Sequence, residues 1–195
     1  MPAHADDPET PVEDTLRAFD ALVKEGKVRY IGASNFTAAR LAEALAVSDR
    51  GGLARYVALQ PHYNLMHRHD YEGALADLCV RESVACMPYF GLAKGFLTGK
   101  YRPDSTVDSA RAAGARAYLD ARGLRVLGVL DDIAAARHPA VAAVSLAWLR
   151  AQPAVVAPIA SARTIAQLSE LLPVTSVGLT AEEVARLGAA SSGGE

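Results

Sequence analysis

The chain has 195 residues, of which 51% are hydrophobic and 22% charged, and this composition is that of a single globular domain that buries a core. Its formal net charge of −2 gives no electrostatic support for binding nucleic acid or an anionic membrane surface. The chain does not open on a basic-then-apolar leader, and no apolar run is long enough to span a bilayer. We therefore expect a cytoplasmic protein.

Neither the cysteines nor the histidines predict a metal site. Cys79 and Cys86 are too few for a zinc knuckle or a disulfide framework, and their apolar surroundings predict buried, reduced thiols. His62, His67 and His69 lie close together in the sequence, but in a loop pattern without the ligand spacing of a zinc site. We therefore expect no bound metal.

Strand-like and helix-like patterns alternate along the first half of the chain. The segment from Thr10 to Glu13 has the pattern of a capping box with Pro11 at the first helical position, and it predicts a helix that ends at Gly26. The sequence then predicts a strand at 28–33, a helix at 37–47, a strand at 56–60, a helix at 70–83 and an apolar strand at 84–89.

The alternation lapses between Gly91 and Gly123, where the sequence predicts one long loop. Beyond it come predicted helices at 124–137 and 139–151, a strand at 154–159, a helix at 164–172 and, after a second capping box at Thr180, a short final helix. Residues 191–195 are predicted to be a disordered tail. The alternation predicts an α/β fold with a parallel sheet, and its four complete βα units contain no Gly-x-Gly-x-x-Gly motif that would favour a Rossmann domain.

Polar or aromatic side chains stand at the C-terminal ends of the four predicted strands, which is where barrel enzymes build their active sites. Ser, Asn and Gln together can satisfy the donors and acceptors of a primary carboxamide, a Tyr can stack on a flat ring, and a Ser and an Arg at a helix N-terminus can bind a phosphate. The strand-end residues are Ser34, Asn35, Gln60 and Tyr89, followed by Ser161 and Arg163.

Each of these residues alone also fits a plainer role. Ser34 and Asn35 could simply cap the following helix, and Tyr89 could be a core aromatic. Arg163 could be a solvated surface charge. Their occurrence at four consecutive strand ends is what favours a joint site.

Four segments resemble the matching segments of the aldo-keto reductases, in order and at fitting separations. They are 26–36 (GKVRYIGASNF), 60–65 (QPHYNL), 89–101 (YFGLAKGFLTGKY) and 158–170 (PIASARTIAQLSE). The resemblance covers residues 8 to about 187 and implies a parallel (β/α) barrel of the TIM type. On this resemblance residues 1–190 are the C-terminal half of the barrel domain, and about half a barrel is missing.

The resemblance implies NADPH-dependent hydride transfer to an aldehyde or ketone. It implies that Ser34, Asn35 and Gln60 bind the nicotinamide carboxamide and that Tyr89 stacks on the nicotinamide ring. Backbone groups of the next three residues would hold the pyrophosphate, and three later side chains would lie near the adenosine 2′-phosphate. The pyrophosphate residues are Phe90, Gly91 and Leu92, and the 2′-phosphate residues are Ser161, Arg163 and Gln167.

Two departures from the family pattern concern the choice of cofactor. The family often has Lys where Ser161 stands and Asn where Leu171 stands. Both departures weaken the expected preference for NADPH, so NADH is not excluded. Lys100, Tyr101 and Arg102 on the long loop are further candidates for a phosphate or substrate contact, with a solvated position as the alternative for Arg102.

Of the family's catalytic tetrad, the resemblance matches only the histidine, at His4. In the family a Tyr donates the proton, and a Lys and an Asp tune it because an ordinary phenol is too weak an acid at neutral pH. The resemblance places those three groups before Met1, so we expect the chain alone to be inactive or very slow. Residues 1–3 are too few for the strand that carries this His, and Pro2 lacks a ladder donor, which leaves a mobile terminal residue as the alternative for His4.

Three explanations of the chain therefore stay open at this point. It could be a fragment of a longer enzyme, an inactive module that binds a nicotinamide nucleotide or a partner protein, or one of two chains that complete a barrel. In the last case the second chain is either another copy, giving a homodimer, or a complementing N-terminal half. A lone half-barrel has to cover two edge strands and an open apolar interior. The expected ligands are a nicotinamide cofactor and a small carbonyl substrate.

Overall fold

The computed structural model describes residues 1–109 and 111–193. The chain forms two compact units. The first contains Met1–His62, His69–Pro88 and Pro153–Ala157, and the second contains Tyr63–Arg68, Tyr89–Gln152 and Pro158–Glu195. Within the described ranges, none of the helices is both long enough and apolar enough to cross a membrane.

The first unit is a four-stranded parallel sheet whose crossover connections contain helices. The strands lie in their order along the chain, β1 to β4, and all neighbouring pairs are parallel. This arrangement confirms the predicted α/β fold with a parallel sheet. In chain order the elements are β1 (Pro2–Ala3), α1 (Val12–Lys24), β2 (Ile31–Ser34), α2 (Ala38–Gly51), β3 (Tyr56–Gln60), α3 (Ala74–Arg81) and β4 (Ala85–Cys86).

One row of side chains across this sheet is completely buried and forms its core. Ala33, Leu59 and Cys86 are paired in register on three neighbouring strands, and each is at most 1% exposed. In the adjacent row the strands approach closely, because a Cβ atom on Gly32 would lie only 2.9 Å from the carbonyl oxygen of Ala58. Glycine is therefore needed at position 32 for β2 and β3 to pair as they do.

The first strand forms although the sequence analysis judged residues 1–3 too short and Pro2 unsuitable. Met1 contributes two hydrogen bonds that join this segment to the chain at 30–32. Its terminal ammonium group donates to the carbonyl oxygen of Tyr30 at 2.7 Å, and its own carbonyl oxygen accepts from the Gly32 N–H at 3.0 Å. The expectation for this segment was therefore wrong, and β1 places His4 at the edge of the sheet where β2 ends.

Two predicted strands are shorter than the apolar runs suggested. The run at 84–89 contributes only β4, and the run at 154–159 forms a single parallel bridge between Val155 and Cys86. The Cys86 N–H donates to Ala154 O at 2.8 Å, and the Val156 N–H donates to Cys86 O at 3.0 Å. Each run contains a proline, at 88 and 158, which has no N–H to donate and so interrupts a ladder.

Of the two capping boxes predicted from the sequence, the structure contains one. At the start of α1 the residue before the helix is Pro11, no side chain caps the helix, and Thr10 Oγ1 instead donates to Asp7 Oδ2 at 2.7 Å. The prediction of a capping box at Thr10 is therefore wrong. The second box is confirmed: Thr180 Oγ1 accepts from the Glu183 N–H at 3.2 Å, and the Glu183 carboxylate accepts from the Thr180 N–H at 2.7 Å.

The second unit is helical, and the predicted long loop at 91–123 contains short helical elements. The helix α6 is its core, since every residue from Ala142 to Leu149 is buried. Of the predicted disordered tail, Ser191 ends the last helix, and residues 194–195 lie outside the described residues. The elements are a 3₁₀ helix (Ala93–Thr98), α4 (Ala112–Arg116), α5 (Ala121–Arg137), α6 (Val141–Arg150), α7 (Ile165–Leu171), a second 3₁₀ helix (Leu172–Thr175) and α8 (Ala181–Ser191).

Candidate functional site

Four of the predicted site residues come together in the first unit, where β1, β2 and β3 end. The buried Ser34 hydroxyl donates to the carbonyl oxygen of Gln60 at 2.9 Å. The exposed Asn35 donates from Nδ2 to the carbonyl oxygen of His4 at 3.0 Å and to Ser34 Oγ at 3.2 Å. We call Ser34, Asn35, Gln60 and His4 the polar cluster.

Local backbone geometry explains why Asn35 reaches His4. Asn35 has φ 58°, a left-handed conformation that Asn tolerates better than most residues. The chain turns there, and Thr37 then caps α2 by accepting from the Arg40 N–H at 3.2 Å. The helix cap is thus made by Thr37, which leaves Ser34 and Asn35 to make the contacts of the polar cluster.

Arg40 fixes the segment that follows His4. Its Nε donates to both carboxylate oxygens of Asp6, at 2.8 and 3.0 Å, and its Nη2 donates to the carbonyl oxygens of Asp7 and Thr10. Hydrogen bonding to the carboxylates of Asp6 and Glu43 raises the pKa of the Arg40 guanidinium, so this group stays charged. An arginine that binds one carboxylate and two backbone carbonyls in this way orders the chain between β1 and α1.

The other predicted site residues meet in the second unit, where they line a cavity of about 420 Å³ that we call the cleft. Apart from the polar cluster, every residue that the resemblance assigned to the cofactor contributes to its lining. These residues are Tyr89, Phe90, Gly91, Leu92, Ser161, Arg163 and Gln167.

The loop at Phe90–Leu92 presents backbone donors. Phe90 has φ 53°, and Ala93 and Lys94 that follow also have positive φ values, so successive peptide planes turn within a few residues. In the described part of the chain, the N–H groups of Gly91 and Leu92 donate to no other protein atom. Turns in which successive N–H groups stay unpaired are suited to binding anions.

The turn before α7 contributes a cation. Thr164 caps this helix by accepting from the Gln167 N–H, and the Gln167 side-chain oxygen accepts from the Arg163 N–H at 2.9 Å. Gln167 therefore holds the backbone of Arg163 in place. The Arg163 side chain is exposed, and no carboxylate among the described residues pairs with it. It is available to an anionic ligand.

Three cations at the cleft were missed or left open by the sequence analysis. Lys94 and Arg111 were not proposed, and Lys100 was one of three loop candidates. With Arg163 they give four positive groups against the single carboxylate of Glu170 in the lining. Lys94 could have been found within the 89–101 motif, whereas the irregular segment around Arg111 offers no pattern. Arg102 instead pairs with Asp131 at 2.8 Å.

The surroundings of Tyr56 in β3 disfavour proton donation by its hydroxyl. Burial raises the pKa of Tyr56 to about 12, and its hydroxyl has no hydrogen-bond partner among the described residues. Such a phenol is a weaker acid than an ordinary tyrosine. Tyr30 is 69% exposed, and Tyr63 is buried with its ring 5.7 Å from that of Trp148. Of these three, Tyr56 is disfavoured as a proton donor by its burial.

A parallel α/β fold with polar groups at its strand ends and a cationic cleft is typical of barrel-type enzymes that bind phosphorylated cofactors. The comparison with known proteins makes this specific. The profile of the Aldo/keto reductase family matches residues 2–192. The chain belongs to this family, which is one of oxidoreductases.

Individual relatives agree with this assignment. The chain is 31% identical over 187 residues to the aldo-keto reductase AMT2 of Alternaria alternata, covering 94% of this chain and 50% of that protein. It is 29% identical to a probable voltage-gated potassium channel subunit beta of Arabidopsis thaliana, covering 89% and 55%. The solved structure of a thermostable aldo-keto reductase, Tm1743, in complex with the inhibitor epalrestat superposes with a TM-score of 0.75 at 28% identity, covering 97% and 58%. The chain spans about half the length of the curated relatives it matches.

Proposed function

We propose that this chain carries the cofactor-binding half of an NADPH-dependent aldo-keto reductase. The observation that carries the proposal is that seven predicted cofactor residues line one cleft whose charged groups are four cations and one carboxylate. An NADPH molecule bears a pyrophosphate and a 2′-phosphate, so an excess of positive charge is the electrostatic complement it needs.

Each part of the cofactor has a fitting group. The unpaired N–H groups of Gly91 and Leu92 suit the pyrophosphate. The Arg163 guanidinium suits the 2′-phosphate, which it can bind with two parallel hydrogen bonds. Tyr89 supplies a ring for the nicotinamide, and the amide groups of the polar cluster suit the carboxamide.

We propose NADPH rather than NADH as the preferred cofactor. Ser161 replaces a Lys that the family often has, which lowers the charge near the 2′-phosphate. Lys94 and Arg111 offset this change because both are cations of the same cleft. NADH lacks the 2′-phosphate and would leave Arg163 without its anionic partner, so we expect weaker binding of NADH.

Hydride transfer to an aldehyde or ketone also requires proton donation to the carbonyl oxygen. We propose that the Tyr, Lys and Asp for this step are not supplied by this chain, and that His4 is the one tetrad position it contributes. The chain alone is then inactive or very slow. Full activity would involve a small carbonyl substrate in the cytoplasm and a completing half-barrel, either a second copy or an N-terminal half.

A second candidate function is that of an inactive module that binds a nicotinamide nucleotide or a partner protein. Burial favours it by raising the pKa of Tyr56 to about 12, which makes this phenol a poorer proton donor. The similarity to a protein named as a potassium channel subunit also supports it, since a subunit works through a partner.

Calorimetric titration with NADPH tests the first part of the proposal. We expect saturable binding that an Arg163→Ala variant weakens at least tenfold, and NADH should bind wild type about as weakly as NADPH binds the variant. Arg125→Ala is the matched control, since Arg125 is an exposed arginine of α5 outside the cleft lining. Absence of NADPH binding to the folded wild type would overturn the proposal, and an equal loss in both variants would remove the role of Arg163.

A turnover assay separates the two candidate functions. The chain is incubated with NADPH and 4-nitrobenzaldehyde, and oxidation of the cofactor is followed by its absorbance. Binding without turnover, restored by a complementing half-barrel, favours the half-enzyme. Binding that no complement converts into turnover favours the module.

A further inference from the structure

Asn64 lies at the centre of a small hydrogen-bonded turn in the second unit. It is fully buried, and it uses both ends of its side-chain amide. Its Oδ1 accepts from the Met66 N–H at 2.8 Å, and its backbone exchanges two hydrogen bonds with that of His67, at 3.1 and 3.0 Å. Its Nδ2 donates to the carbonyl oxygen of Phe90 at 2.9 Å. The first three bonds are local, and only the last one reaches the cleft.

The Phe90 carbonyl is held from two sides. It accepts from Asn64 Nδ2 and also from the Ala93 N–H at 2.7 Å. The peptide bond that joins Phe90 to Gly91 is trans, as are all described peptide bonds, so its C=O and its N–H point in opposite directions. Fixing the carbonyl of Phe90 therefore fixes the direction of the Gly91 N–H, one of the two unpaired donors of the cleft loop.

The loop needs such support because its backbone conformation is unfavourable. Phe90 has φ 53°, which is uncommon for a bulky side chain and carries a conformational cost unless its surroundings impose it. A hydrogen bond from a buried amide in a low-dielectric interior is a strong constraint, because breaking it would leave a buried polar group unsatisfied.

We propose that Asn64 is a positioning residue for pyrophosphate: it holds the Phe90–Gly91 peptide so that the Gly91 N–H faces an anion in the cleft. The inference rests on the proposed function, since it assumes that the cleft receives a dinucleotide. It assigns to Asn64 no contact with the cofactor itself. The role concerns only ligands that contain pyrophosphate.

Asn64→Asp is the informative variant. It keeps the size of the side chain and the acceptor for the Met66 N–H, but it replaces the Nδ2 donor by an oxygen facing the Phe90 carbonyl. Asn64→Ser serves if the Asp variant does not fold, because its hydroxyl can still accept within the turn but is too short to reach Phe90. Tyr71→Phe is the control, since it also removes a buried side-chain bond to a carbonyl, from Tyr71 to Pro153 O, outside the cleft.

Affinities for two probes are measured by calorimetry, with the melting temperature as a check on folding. ADP-ribose contains the pyrophosphate, and adenosine 2′-monophosphate does not. We expect Asn64→Asp to weaken the binding of ADP-ribose about tenfold and to leave the affinity for adenosine 2′-monophosphate unchanged. Tyr71→Phe should lower the melting temperature and leave the affinities for both probes unchanged.

The outcomes separate this inference from the function on which it rests. If wild type binds both probes and Asn64→Asp weakens both equally or neither, the positioning role is overturned and the proposed function stands. If the folded wild type binds neither probe nor NADPH, the proposed function fails, and the role of Asn64 fails with it.

Discussion

At Gly91 the cleft loop packs tightly against the core helix α6. A Cβ atom at this position would lie 3.1 Å from the side chains of both Leu146 and Leu149. Contacts this short require the neighbours to move, and α6 is buried along nearly its whole length. The space at Gly91 is therefore set by the packing of the loop against α6.

We predict that Gly91→Ala lowers the free energy of unfolding by about 1–3 kcal/mol, the usual cost of overpacking. It should also weaken NADPH binding, because the loop must shift to relieve the contact. Gly128→Ala is the matched control: Gly128 lies within α5, where a Cβ atom would meet nothing within 4 Å. That variant should gain about 0.5–1 kcal/mol from helix propensity. Urea unfolding measures the free energy of unfolding of both variants. A Gly91→Ala variant as stable as wild type would contradict the predicted cost of overpacking.

Asp20 provides a pH-dependent contribution to stability. Its carboxylate lies 2.6 Å from Lys24 Nζ and accepts from the Ala54 N–H at 2.9 Å. The hydrogen bond from Lys24, and then that from the Ala54 amide, lower the pKa of Asp20 below its ordinary value of 3.8. A lowered pKa stabilises the folded chain above the unfolded value, and this contribution is lost as the pH falls through the folded pKa.

We predict that Asp20→Asn is less stable than wild type at pH 7 and that the difference shrinks as the pH falls from about 5 to below 3.8. Urea midpoints of the two proteins, measured from pH 7 to pH 3, test this. Other paired carboxyl groups titrate in both proteins, so their effects on stability cancel in the difference between the two urea midpoints. A difference that stays constant over the whole range would show that the carboxylate charge is not responsible.

The proximity of polar residues at strand ends could be predicted from the sequence, because parallel strands bring their carboxyl ends to the same edge of a sheet. This reasoning found Ser34, Asn35 and Gln60 as neighbours. It did not find Asn64 or Arg111, because their positions depend on how irregular segments fold. No periodicity indicates which buried amide will reach a carbonyl such as that of Phe90, so contacts of this kind need the structure.

At the scale of elements, the capping box of α8 is the best-defined local signal. Thr180 and Glu183 exchange side-chain and backbone hydrogen bonds, and Glu183 also pairs with Arg137 of α5 at 2.7 Å. We predict that Thr180→Ala lowers the free energy of unfolding by about 1 kcal/mol. Thr106→Ala, at an exposed loop threonine, is the control and should change stability little. Chemical unfolding checks both, and equal stability of the two variants would mean that the cap contributes nothing.

Strand prediction succeeded where the pattern and the partner strand agree. The strand at 56–60 has the predicted bounds because β2 and β4 pair with it on both sides. The run at 154–159 has an equally apolar pattern but forms only one bridge, since Pro158 lacks a donor. Conversely, Pro2–Ala3 forms a strand through bonds that Met1 supplies. Strand length depends on partners that composition does not reveal.

At the scale of the whole molecule, the sheet of the first unit has apolar side chains in contact with solvent. Val57 of β3 is 42% exposed, and Val156 beside the Val155 bridge is 59% exposed. Parallel sheets are normally covered on both faces, so exposed valines on their strands favour association. The family relatives are about twice as long as this chain.

We therefore predict that the chain self-associates and that Val57→Lys reduces this association. Sedimentation velocity at several protein concentrations measures it. Ala189→Lys, which adds the same charge at an exposed position of α8, is the control for a general effect of charge. A wild type that stays monomeric throughout the concentration range would contradict the prediction.

We propose that this chain binds a nicotinamide dinucleotide phosphate, with the cleft of the second unit as the site of its phosphates. The most direct test is to map amide ¹H–¹⁵N chemical shifts of the whole chain as NADPH is added. We predict saturable shifts concentrated at 90–92 and 161–167, with further shifts at Ser34 and Asn35. Shifts confined to other surfaces, such as the groove lined by His138 and Pro173, or no shifts at millimolar NADPH, would contradict the claim.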